Sequence, residues 1–232
     1  MLILAIDTST ISASVAVIDE NKLHGEIYTD YKLKHSEKLL PLVDHLLRDI
    51  HMTIKEMDAF AVTCGPGSFT GLRIGAATAK AFSHACAKPI IGVSTLESCA
   101  FLQSGFGGMI CPVLDAQQSS VYTALFKYRT DGIQRLTEDA VLPLNDLIRK
   151  IPDQGDILFC GDAADKFRQE LSFSLGDRAV FANSLTKMPR ASAAGALAVE
   201  RLKHGEVSDY RTFTPNYIRA SQAEVNYEIK VK

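Results

Sequence analysis

Between an apolar run ending at Cys64 and a long helix-like segment stands Gly65-Pro66-Gly67-Ser68-Phe69-Thr70-Gly71. Glycines ahead of a helix can cradle an anion, because unpaired backbone N–H groups and the helix dipole both attract negative charge there. The run is not a Walker-type phosphate loop. Gly71-Leu72-Arg73 stands where Gly-Lys-Ser/Thr is needed, and glycines at 65, 67 and 71 do not spell G-x-G-x-x-G. The same glycines would equally permit a tight strand-to-helix turn and close packing. Both readings stand, with Gly65, Gly67 and Gly71 as candidate phosphate contacts.

Two carboxylates join them. Asp7 and Asp115 each end an apolar run and precede small polar residues, and a carboxylate at a strand end beside a cleft is a common place for a magnesium–phosphate contact. Turn formation within Asp7-Thr8-Ser9-Thr10 accounts for the first equally well. No Ser/His/Asp order, nucleophile elbow or acid–base pair is present. Five cysteines (Cys64, Cys86, Cys99, Cys111, Cys160) are an odd number without a C-x-x-C, and six histidines give no H-E-x-x-H. Reduced, buried thiols in a cytoplasm, no bound metal and no cofactor are the expectation.

The elements that must carry these residues follow from periodicity. Residues 1–7, 13–19 and 23–30 read as a meander of three strands. Helical spacing over 36–50 brings Leu39, Val43, Leu46 and Leu47 to one face, with Pro41 expected to kink or delay its first turn. A strand at 60–64, a helix over 69–87, a strand at 89–93 and a helix from 95 to about 103 complete a β-β-β-α-β-α-β-α order. That is the ribonuclease H-like order, a mixed sheet with its antiparallel strands on one side. After Ser104-Gly105-Phe106-Gly107-Gly108 the pattern restarts: 109–115 echoes 2–7, and 121–128 echoes 14–18. A helix at 144–150, a strand at 157–160, and helices at 163–171 and 191–203 follow. The expectation is a duplicated α/β chain, residues 1–104 and 105–232, with two similar domains facing a cleft.

The helix over 69–87 is unusual. Beside its apolar stripe of Leu72, Ala76, Ala79, Phe82 and Cys86 it carries Gly75, Ala77, Thr78, Ala81 and Ala85, so it is small or apolar nearly all round. Such a helix is buried on both sides, inside the domain or against another chain. Leu39, Val43, Leu46, Arg73, Ile74, Ala77, Thr78 and Ala81 are the candidate partner contacts.

Composition narrows the class. With 47% hydrophobic and 22% charged residues the chain is globular, and its length buries about 70% of the unfolded surface without staples. Lys plus Arg is 25 and Asp plus Glu is 27, a net charge of −2 without a basic run, so unaided nucleic-acid binding is not expected. The apolar start is too short for a signal peptide or membrane span.

Ile6-Asp7-Thr8-Ser9, the run from Gly65 to Gly75, Asp115-Ala116 before Val121-Tyr122, and Pro215-Asn216-Tyr217-Ile218-Arg219 with Ala223-Glu224 together resemble the bacterial TsaB (YeaZ) family, essentially end to end. The resemblance implies two ribonuclease H-like domains of the actin-like, Hsp70 and sugar kinase (ASKHA) superfamily. It also implies a part in making threonylcarbamoyladenosine, the modified base beside the anticodon of tRNAs that read codons starting with A. The expected part is that of a non-catalytic scaffold: a TsaD-like paralogue transfers the threonylcarbamoyl group, a TsaE-like ATPase docks on the pair, and tRNA is met only through the complex. A homodimer of the free chain is left open. TsaD-like proteins carry a helical His-x-x-x-His that binds metal; the matching positions here are Thr95 and Cys99. Gln117 stands where the family commonly has arginine. The alternative is an independent ATP-using enzyme of the same superfamily, with Asp7, the glycine loop and Asp115 around phosphate.

Overall fold

A computed structural model describes residues 1–30, 35–130 and 132–219. The meander forms as expected from β1 (Ile3–Asp7), β2 (Ala13–Ile18) and β3 (Leu23–Thr29). β4 (Ala59–Gly65) and β5 (Ile90–Ser94) add in parallel, giving the order β3-β2-β1-β4-β5. Side chains alternate across β1: Leu4 and Ile6 face α1 (His35–Asp49) and α2 (Phe69–Cys86), whereas Ile3 and Ala5 face the opposite side with Ala16 and Ile18. A strand apolar on both faces must be covered on both faces. Accordingly β1 and β2 are buried along their whole length. α1 runs through Pro41, because Leu39, Val43, Leu46 and Leu47 pin the turns around it into the core.

The second sheet repeats this topology. β6 (Met109–Asp115) pairs antiparallel with β7 (Ser120–Thr123), β7 with β10 (Ala140–Pro143), and β6 in parallel with β11 (Ile157–Cys160), which is followed by β12 (Ala179–Phe181). The order β10-β7-β6-β11-β12 matches the first sheet strand for strand. The strand expected over 121–128 is instead β7 and β8 (Phe126–Arg129), with β8 also pairing to β9 (Gly132–Arg135). Val113 faces Thr123 and Ile110 faces Phe126, so the register is continuous across the break. Pro112 lies between them and has no N–H for the ladder. The helix expected over 163–171 is likewise two short ones, α5 (Asp162–Lys166) and α6 (Arg168–Leu175), which with α4 (Leu144–Lys150) cover one face of this sheet.

The boundary after residue 104 separates the sheets but not their coverings. α3 (Thr95–Phe101) lays Leu96, Cys99 and Ala100 on Ile110, Leu114 and Phe126 of the second sheet. α7 (Ala191–Lys203) lays Ala191, Ala194, Leu197 and Ala198 on Ile3, Ala5, Ala16 and Ile91 of the first. Ser208 then bridges Ile90, and Phe213 enters the first core. Part of 105–232 therefore packs on the first sheet: the small side chains of α7 let it lie close on that sheet's back, beside Phe101 and Ile133.

Candidate functional site

The start of α2 is built by the β1–β2 turn. Ser68 Oγ accepts the Gly71 N–H at 3.3 Å, the Ser68 N–H donates to the Ser9 carbonyl at 2.7 Å, and Thr8 Oγ1 donates to the Gly71 carbonyl at 2.8 Å. A Cβ at Gly67 would overlap the Ser9 carbonyl oxygen, and one at Gly71 that of Thr8. The glycines thus serve close packing. At Gly65 a Cβ would stand 2.5 Å from the Asn216 carbonyl oxygen, so this glycine makes room for the C-terminal segment. The expectation that Gly65 and Gly71 meet phosphate is corrected, because backbone already fills the space beside them.

Asp7 is fully buried. Its Oδ1 accepts from the Ser9 N–H at 3.1 Å, Ser9 Oγ at 2.6 Å and Thr63 Oγ1 at 2.6 Å, while Oδ2 is buried without a partner. Burial pushes its carboxyl above the ordinary value, against the pull of the Ser9 and Thr63 hydrogen bonds. The expected magnesium–phosphate role is corrected here too: Asp7 organises the turn and does not reach solvent.

A cleft of about 560 Å³ opens beyond it, walled by Ser9 and Thr10, residues 67–70, residues 115–117, Asp162 and residues 216–219. Gly67 and Asp115 are the two sequence candidates that reach it. Asp115 accepts Lys166 Nζ at 2.9 and 3.0 Å and the Gln117 N–H at 2.9 Å, and its own N–H donates to Asp162 Oδ1 at 2.9 Å. Burial raises the Asp162 carboxyl; the Asp115 N–H lowers it and the Asp115 charge raises it again. The Asp162 carboxylate therefore holds the Asp115 backbone, while the Asp115 carboxylate holds Lys166 and a turn. Sequence reasoning missed Asp162, His35 and residues 216–219 as cleft residues. The Tyr217 and Arg219 pair was the available signal; Ala223 and Glu224, quoted with it, lie outside the described residues.

Thr95 and Cys99, one turn apart on α3, are both fully buried. Burial first, then the charges of Cys160, Asp7 and Asp162, holds the Cys99 thiol well above its ordinary value, which disfavours the thiolate a metal requires. Among the described residues no three His, Cys, Asp or Glu side chains converge as a metal site, and no helix is long and apolar enough to cross a membrane.

α2 divides sharply. Leu72, Gly75, Ala76 and Ala79 are buried, whereas Arg73, Ala77 and Ala81 are exposed and Ile74 and Thr78 half-buried. On α1, Leu39, Val43 and Leu46 are 2%, 4% and 3% exposed. Their expected partner contact is corrected: helical spacing turns them onto the chain's own sheet, and Leu40, at 56%, is the exposed leucine of that helix.

A family model described as "TsaD: tRNA N6-adenosine threonylcarbamoyltransferase" matches residues 23–227. The tRNA threonylcarbamoyladenosine biosynthesis protein TsaB of Bacillus subtilis is 32% identical over 228 residues, covering 98% of each chain. The structure of YeaZ from Pseudomonas aeruginosa is 26% identical, covers 93% of this chain and 99% of that one, and superposes with a TM-score of 0.80. At 9% identity, the activator of the 2-hydroxyisocaproyl-CoA dehydratase from Clostridium difficile covers 89% of this chain and 97% of its own with a TM-score of 0.53, a likeness of fold alone. The paired sheets of like order have the ASKHA fold. Sequence and architecture agree, and the chain belongs to the TsaB (YeaZ) family of tRNA threonylcarbamoyladenosine biosynthesis proteins.

Proposed function

We propose that this chain is a non-catalytic scaffold subunit in the formation of threonylcarbamoyladenosine on tRNA. It binds and supports a TsaD-like paralogue, a TsaE-like ATPase docks on the pair, and tRNA is engaged by the assembly. The observation that carries this reading is α3: at the two positions where the family resemblance puts the paralogue's metal-binding histidines, this chain buries Thr95 and a Cys99 thiol held in its neutral form. The closed packing at Gly65 and Gly71 supports it against an independent nucleotide-using enzyme. The partner surface in this reading is the outer face of α2, Arg73, Ile74, Ala77, Thr78 and Ala81, where small side chains admit close approach of another helix.

Reconstitution tests the proposal. The purified chain, given tRNA and threonylcarbamoyl adenylate, should transfer nothing; transfer should appear with the TsaD-like and TsaE-like partners and fall when this chain is omitted. Transfer by the chain alone, or undiminished transfer without it, overturns the reading.

A further inference from the structure

Beyond α7 the chain runs back along the first half, and its grip changes at Phe213. Up to that point it is anchored: Ser208 exchanges hydrogen bonds with Ile90, Phe213 is 6% exposed in the first core, and Lys80 Nζ donates to the Phe213 carbonyl at 3.0 Å. After it burial lessens: Thr214, Asn216 and Tyr217 are exposed, and Pro215, Ile218 and Arg219 are half-buried. What holds this stretch is polar and aromatic. The Asn216 N–H donates to the Cys64 carbonyl at 2.7 Å, the Tyr217 ring lies 4.5 Å from that of Phe69, and Arg73 sits 4.0 Å over Phe69 with its Nε donating to Tyr217 Oη at 3.4 Å. Arg219 then reaches the other half, donating to the Ala116 carbonyl and to Gln118 Oε1 at 3.1 Å.

The loop that Arg219 holds is itself unusual. Gln117, Gln118 and Ser119 have φ of 63°, 50° and 57°, three successive residues with side chains in the left-handed region, which costs energy at each. The Asp115 carboxylate on the Gln117 N–H and the Leu144 N–H on the Ser119 carbonyl hold it from its own half, and Arg219 adds a hold on a backbone carbonyl and a side chain at once.

We propose that residues 214–219 form a latch across the mouth of the cleft, pivoting at Phe213, which pins loop 116–119 of one half to the start of α2 in the other and opens as a unit without unfolding either sheet. Opening exposes no fully buried apolar side chain, only the Phe69 and Tyr217 rings and the half-buried Pro215 and Ile218, and segments held this way occupy the low end of local stability. The latch controls solute entry to the cleft, since residues 216–219 are one of its walls. It does not depend on the scaffold reading.

Native-state hydrogen exchange on the full chain, in urea below the unfolding transition, tests it. The Asn216 amide should exchange through an opening insensitive to urea, while the Ile6 and Val62 amides follow the global urea dependence. Tyr217→Ala should speed exchange at Asn216 and, across the cleft, at Ser120, whose N–H donates to the Gln117 carbonyl at 2.9 Å. Arg219→Ala should speed the same two amides, each by about tenfold, or about 1.4 kcal/mol, with an unchanged melting temperature. Two results overturn the latch: Asn216 exchange with the urea slope of Ile6, meaning that the segment leaves only on global unfolding, or each substitution acting on its own side alone, meaning two unconnected contacts.

Discussion

Replacing Ala77 with arginine separates a partner-facing α2 from one that serves only its own fold. Ala77 is exposed, so the folded chain has room for the side chain. The local cost is small: about 0.2 kcal/mol of helix propensity, and about 0.3 kcal/mol for a second cation four residues after Arg73. Together these lower the melting temperature of a chain this size by about 1–2 °C. In a desolvated helix–helix contact the same guanidinium is an unpaired buried charge costing about 3 kcal/mol or more, which weakens association at least about a hundredfold. Its neighbour Ala76 is 5% exposed in the first core, so Ala76→Arg should unfold the chain and provides the contrast. Thermal melting beside titration calorimetry with the TsaD-like partner reads both effects, and Ala77→Glu, which places an anion beside Arg73 one turn along the helix, should also lose binding while melting normally. A collapsed melting temperature for Ala77→Arg, or a normal one with full affinity, refutes the assignment of this face. Should the free wild-type chain elute as a dimer in size exclusion, Ala77→Arg should move it toward monomer if the same face is used.

The other outcomes concern the buried interior. Gly71→Ala should cost about 2–3 kcal/mol through overlap with the Thr8 carbonyl, measured by urea unfolding, whereas Gly107→Ala, with nothing within 4 Å of its added methyl, should be near neutral; equal losses would contradict the packing role of the loop. Burial raises the folded-state pKa of Asp7 above its ordinary 3.8, so the folded state binds that proton more tightly, and the stability it contributes is full below the unfolded value and lost as pH rises through the folded one. The melting-temperature difference, Asp7→Asn minus wild type, should therefore grow as pH rises above the ordinary value of 3.8, and parallel curves would show that the carboxyl is not the titrating group. Elemental analysis should find no stoichiometric zinc or iron, and one equivalent lost on Cys99→Ser would reverse the assignment of α3.

The meander and α2 were legible because their residues obey one period each: Ile3 to Ile6 alternates across a sheet, and Leu72, Ala76 and Ala79 repeat along a helix. β9, β10 and β12 were not, because three or four mostly half-buried residues show neither a period nor the fully buried apolar run of the equally short β11. Periodicity gives the buried side of a helix without naming what covers it, which is why the apolar faces of α1 and α7 were evident while their destinations were not. Leu39, Val43 and Leu46 were assigned to a partner although their own sheet claims them. At the candidate site the glycines announced close approach, but whether to phosphate or to protein depended on Thr8 and Ser9, about sixty residues earlier in the chain.

The coverage of the first sheet by α7 has a consequence for synthesis. When a ribosome completes β5, the side chains of Ile3, Ala5, Ala16, Ile18, Ala59, Ala61, Ile91 and Val93 already form one face of a sheet, but the helix that closes over them has not been made. About 100 more residues must be polymerised first, at 5–20 residues per second a wait of roughly 5–20 s. During that interval the nascent chain carries an open apolar face while its second half folds. A fragment ending near residue 104 keeps that face open permanently, and gene fusions or split versions of this protein that cut before α7 must supply the helix in trans.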